Sequence, residues 1–126
     1  SAMSRSGLYK AQSEVVEEIA SRGPCVLDGR TADYVLRDYK NTASVFITAD
    51  LDERVERVAK RHGCGKETAI KIITDRESER STYYNYYTGK KWGYSASYDL
   101  CINSSILGME RTEELIKEFI KNKLGL

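Results

Sequence analysis

Apolar positions recur at helical spacing near the start of the chain: Leu8, Ala11, Val15, Ile19 and Ala20 share one face over residues 8–22. Gly23-Pro24 ends that pattern, because proline cannot continue a helix. The run CVLDG (25–29) is short, apolar and closed by a turn-forming Asp-Gly, which predicts a strand. Residues 31–37 predict a short helix. SVFIT (44–48), β-branched and aromatic, predicts a second strand. Asp50 stands three residues before Glu53, an N-cap spacing. The helix it opens should turn Leu51, Val55 and Val58 inward and stop at Gly63. Residues 66–87 continue helically with Ala69, Ile70 and Ile73 on the apolar face. YDLCI (98–102) predicts a third strand, and residues 112–124 an amphipathic helix burying Leu115, Ile116, Phe119 and Ile120. Alternation of this kind predicts an α/β fold, a three-layer arrangement of a parallel sheet with covering helices. The predicted strands are almost wholly apolar, as strands covered on both faces are.

Composition narrows the function classes more than it changes this picture. The chain has 126 residues, 40% hydrophobic and 31% charged, with one proline, which suits one ordinary folded domain. A net charge of +1 argues against a general nucleic-acid or membrane-surface binder. No run has the length of a transmembrane helix, and no signal-peptide pattern opens the chain. A cytoplasmic protein is therefore expected. The opening Ser-Ala-Met is read as a cloning scar, residues 1–7 as scar and linker, and residues 8–126 as the domain. Cys25 and Cys101 sit in apolar runs and are expected as buried reduced thiols. His62 and Cys64 are close in sequence, but two ligands do not make a zinc site, and no metal is expected.

In parallel sheets, ligands bind beyond the carboxyl ends of the strands. Those ends carry DGRTAD (28–33), TADLDER (48–54) and NSS (103–105). Arg30 is placed there to pair with a phosphate through its planar guanidinium; a surface ion pair to Asp28 or Asp33 is the plainer alternative. Arg54, Arg57 and Arg61 form a row along one helix. Arg76 and Arg80 lie four apart on the next, beside an acidic stripe of Asp75 and Glu79. Such rows are either solvated ion-pair faces or arginines closing over a polyphosphate. The window STYYNYYTGKKWG (81–93), extended to Tyr98, holds six of the nine tyrosines and the one tryptophan. Bases could stack on such rings, but packing of a helix end is the expected role. No GxxxxGK[ST] loop occurs in the chain, so nothing in it cradles a triphosphate by backbone N–H groups.

Four blocks, LYKAQSEVVEEIASRGPCVLDGRTADYVL, VFITADLDERVERVAKRHG, DRESERSTYYNYYTGKKWG and YDLCINSSILGMERTEELI, together resemble the cytidylate kinase-like family, from about Leu8 to Ile120. The resemblance implies a P-loop kinase-like fold that, in this chain, lacks the first strand and phosphate loop. It implies phosphoryl transfer from ATP to a nucleoside monophosphate, CMP or dCMP, with Mg2+. By resemblance, Arg30 contacts the acceptor phosphate, and Asp33, Asp75, Arg76 and Arg80 complete the substrate-binding set. Arg54 and Arg57 match the lid region and are the catalytic candidates. Thr31 stands where cytidylate kinases carry an aspartate, which leaves the acceptor base open.

Three functions follow for testing. The complete protein is a nucleoside monophosphate kinase using ATP and Mg2+, while this chain alone is inactive and requires neither. A catalytically silent nucleotide- or protein-binding module is the alternative. A single-strand nucleic-acid binder using the tyrosines with Lys90 and Lys91 is disfavoured by the near-neutral charge. Nucleoside monophosphate and ATP are the expected partners, with no nucleic acid and no membrane. In the implied fold, the phosphate-loop strand lies between CVLDG and SVFIT. Without it their edges are open, so a homo-oligomer or a strand-complemented complex is expected, with direct pairing of the two strands as the competing outcome.

Overall fold

The computed structural model describes residues 5–29 and 31–126. Two compact units divide the chain after Thr42. In the first, α1 (Arg5–Ser21) is followed by the single turn α2 (Ala32–Val35). Val16, Ala32 and Leu36 form its buried cluster, with Ala20, Leu27 and Val35 packed against it. The apolar face of α1 is rotated from the expected one. Val15 is 52% exposed and Leu8 is exposed, while Val16 is buried; one residue along a helix turns the side chain by about 100°.

Residues 25–28 form no strand, contrary to the sequence expectation. Val26 is 97% exposed, and Cys25 is exposed rather than a buried thiol. An apolar strand is stable only when neighbours take its backbone N–H and C=O groups. Among the described residues no strand does so, and the segment remains open chain. Gly29 (φ 72) and Thr31 (φ 54) then carry the turn into α2. A β-branched residue in the left-handed region is strained; here Thr31 is buried, and its carbonyl accepts from Tyr34 and Val35 at 3.0 Å each.

The second unit holds β1 (Val45–Thr48), α3 (Leu51–His62), α4 (Lys66–Thr88), β2 (Leu100–Asn103) and α5 (Ser104–Leu124). β1 and β2 pair in parallel, with Val45 opposite Leu100 and Thr48 opposite Asn103. Among the described residues the sheet therefore has two strands, not the three predicted. Leu100 N–H donates to Ser44 C=O, so by strand alternation Phe46 also faces β2. Val45 and Ile47 then turn their backbone groups to the other edge, where Ile47 is 54% exposed.

The aromatic window covers one face of this sheet. The Phe46 ring meets Trp92 edge-on at 5.2 Å and Tyr98 at 4.8 Å, and Tyr84 stacks at 6.2 Å from Tyr98. Gly93 adopts φ 74, a left-handed conformation that glycine favours, beside the Phe46 ring. The run thus anchors the end of α4, as expected for packing. Lys90 is spent in the same turn, donating to Ser97 C=O at 2.8 Å. Tyr86 and Tyr94 remain exposed.

On the other face, Leu115 and Phe119 of α5 lie beside Leu100 and Ile102. α5 begins earlier than predicted: Asn103 caps it by accepting from Ser105 N–H at 2.9 Å. Gly108 (φ 81, ψ 167) breaks its first turn from the rest, and that break hid the early start from a helical periodicity search. Cys101, expected buried, is exposed.

The amino ends of the strands are tied by Asp99. Its carboxylate accepts from Ser44 N–H at 2.9 Å and from Lys123 Nζ at 2.5 Å. Burial pushes this carboxyl up, but the bonds from Lys123 and Ser44, with the lysine charge, hold it below its ordinary 3.8. A depressed pKa stabilises the fold above the unfolded value and loses that contribution as pH falls through the folded one. The Tm gap between wild type and Asp99→Asn should therefore be widest near neutral pH and shrink below about pH 4. Thermal melts showing the same gap at pH 3 and pH 7 would remove Asp99 from this role.

Candidate functional site

The sequence-named residues of the second unit lie on α3 and α4, two helices that pack against each other as a hairpin. α3 starts two residues after β1 ends, and Asp50 between them makes no side-chain cap, unlike the expected N-cap. Its carboxylate instead accepts from Asn103 Nδ2 at 2.9 Å, and its N–H donates to Ser105 Oγ at 2.8 Å. Ser105 Oγ in turn donates to Glu53 at 2.8 Å, and Ser104 Oγ to Thr48 C=O at 3.0 Å. The carboxyl ends of both strands, and the helices leaving them, are cross-tied there.

α3 runs to Gly63, whose left-handed backbone (φ 62) ends it as the sequence predicted. Cys64 and Gly65 turn the chain into α4, which folds back on α3 around Val55, Ala69 and Ile73. Ala69 is 0% exposed, its small side chain permitting close helix approach. Leu51 and Ile70, expected on this inner face, are 53% and 44% exposed. They lie outside the buried cluster of Val55, Ala69 and Ile73.

Arg54 on α3 and Glu77 on α4 are hydrogen-bonded as an ion pair, the one such pair between these two helices among the described residues. Arg57, Arg76 and Arg80 are exposed, with no ion pair or hydrogen bond among the described residues. Asp75 is held by Lys71, one turn back on α4, at 3.0 Å. Asp33 lies half-buried in α2 of the first unit. Arg30 falls outside the described residues. No group of three or more His, Cys, Asp or Glu side chains suited to a metal ion occurs among the described residues.

Sequence reading missed Glu77 and the cross-strand roles of Asn103 and Ser105. Glu77 could have been found: it follows Ile73 by one helical turn and precedes Arg80 by three residues, between the core face and the arginine row. Chemically, the hairpin offers planar guanidinium groups suited to bidentate contact with phosphate oxygens.

The chain matches the cytidylate kinase-like family over residues 1–106. It is 30% identical over 106 residues to the cytidylate kinase of Ignicoccus hospitalis, covering 84% of this chain and 61% of that protein. For the cytidylate kinase of Methanocaldococcus jannaschii the identity is 33% over 108 residues, covering 83% and 60%. For that of Pyrococcus horikoshii it is 34% over 104 residues, covering 82% and 53%. The chain thus spans from about half to three-fifths of the length of these curated relatives. A crystal structure of an uncharacterized protein from Eubacterium ventriosum is similar at TM-score 0.86 and 30% identity, over 90% of this chain and 71% of that one.

Ala69 is fully buried in the α3–α4 contact. Ala69→Leu should overpack it and lower stability by about 1–3 kcal/mol in urea unfolding, and an unchanged midpoint would show that the helices do not meet there.

Proposed function

The chain belongs to the cytidylate kinase-like family, and from that premise we propose that it is the acceptor-and-lid portion of a nucleoside monophosphate kinase. The complete protein, a P-loop kinase-like three-layer fold, transfers a phosphoryl group from ATP to CMP or dCMP in the cytoplasm. The observation that carries this reading is the set of unneutralised arginines on α3 and α4, in a chain that matches cytidylate kinases over most of its length.

Phosphoryl transfer is governed by positioning and by stabilising charge on the transferring oxygens. In this reading Arg54 and Arg57 provide that charge from α3. Arg76 and Arg80 contact the acceptor phosphate and Asp75 the sugar, while Arg30 and Asp33 are the acceptor-contacting candidates of the first unit. Magnesium and ATP belong to the complete protein; the described residues do not make a metal site, and the 126 residues contain no GxxxxGK[ST] loop. A second reading, a nucleotide-binding module without catalysis, applies to the 126-residue chain by itself on that same ground.

A coupled assay with ATP, Mg2+ and CMP should give no turnover for the 126-residue chain. Clear turnover by this chain would contradict the division of labour proposed. Binding is tested separately. Charge-assisted contacts to phosphate are worth about 1.5–3 kcal/mol, so Arg80→Ala should weaken CMP binding by about one to two decades in calorimetry. Identical binding by wild type and variant would take Arg80 out of the site.

A further inference from the structure

Four arginines assigned above, Arg54, Arg57, Arg76 and Arg80, occupy the α3–α4 hairpin, and they do not share one state. Arg54 is engaged by Glu77, while the other three have no partner among the described residues. The pair is only half-covered, with side chains 31% and 41% exposed. Glu77 also lies three residues before Arg80 on α4, and Arg57 three residues after Arg54 on α3. Each spacing puts the two residues on neighbouring positions of one helix surface. Glu77 thus shares a helix surface with Arg80 while it holds Arg54, so an anion that takes both arginines would compete with the carboxylate.

We propose that Glu77 is an internal competitor for that anion, holding Arg54 until an oligophosphate displaces it. The inference rests on the reading of this hairpin as a phosphate-binding face, and makes Glu77 a positioning residue that acts through Arg54. Two physical facts favour displacement over a permanent structural pair. Solvent-accessible ion pairs contribute little to stability, so the pair is weak enough to be exchanged. An oligophosphate brings several negative charges and oxygens arranged for guanidinium forks, against a single carboxylate. The exchange needs no movement of the helices, because Val55, Ala69 and Ile73 hold the hairpin independently of the pair.

Titration of the 126-residue chain with inorganic tripolyphosphate at low ionic strength tests the proposal. Glu77→Gln keeps the shape of the side chain and removes its charge. It should tighten binding by up to about fivefold, the change that corresponds to about 1 kcal/mol. In an Arg54→Ala background the gain from Glu77→Gln should vanish, which a purely structural role of Glu77 would not produce. Unchanged or weaker binding by a Glu77→Gln protein with native circular dichroism would overturn the proposal. So would a gain that survives without Arg54. Absence of any tripolyphosphate binding by both proteins would overturn it together with the phosphate-binding reading, whereas binding without a charge effect would overturn the competition alone.

Discussion

Two parallel strands of four residues each carry the larger unit, and a ladder that short is marginal by itself. Its persistence depends on polar ties beyond the strands. Asp99 joins Ser44 and the end of α5 at the amino end. Asp50, Glu53, Asn103 and Ser105 join the two departing helices at the carboxyl end. These groups are spread over more than fifty residues of sequence, so they also fix the strand register, which short apolar strands specify weakly. The aromatic cluster of Phe46, Trp92 and Tyr98 then covers one face, and α5 packs beside β2 on the other.

The site inherits its position from that clamp. α3 leaves the sheet two residues after β1, with its first turn held through Glu53 to Ser105. Arg54, the next residue, is thereby set near the strand ends, and the hairpin core returns α4 so that Glu77 meets it. Arg76 and Arg80 follow from the helical repeat alone. The charged hairpin thus leaves a short sheet whose ends are tied by side-chain hydrogen bonds.

Local signals were legible where local physics decides. Gly63 ends α3 in the left-handed conformation glycine favours, and SVFIT and YDLCI both contribute paired strands. CVLDG carries the same composition yet forms no strand, because strand formation depends on a neighbour that composition cannot reveal. The α1 face was misplaced by one residue, since Val15 and Val16 are equivalent to a periodicity search and only the cluster with Ala32 and Leu36 separates them. Asp75, Arg76, Arg80, Arg54 and Arg57 are candidates named from spacing and resemblance, and all five lie on α3 and α4. The Arg54–Glu77 and Asp50–Asn103 contacts join residues 23 and 53 positions apart, and no local pattern records such pairs.

The claim on which the rest turns is that the strand-end ties hold the arginine hairpin on the sheet. Native-state hydrogen exchange of an Asn103→Ala variant addresses it directly. That change removes both the α5 cap and the bond to Asp50. The account predicts that the amides of Val55 and its neighbours in α3 lose protection together with those of the β1–β2 ladder, in one cooperative step. Full protection of α3 and α4 in a variant whose ladder has opened would show that the hairpin stands without the sheet, and would contradict the account.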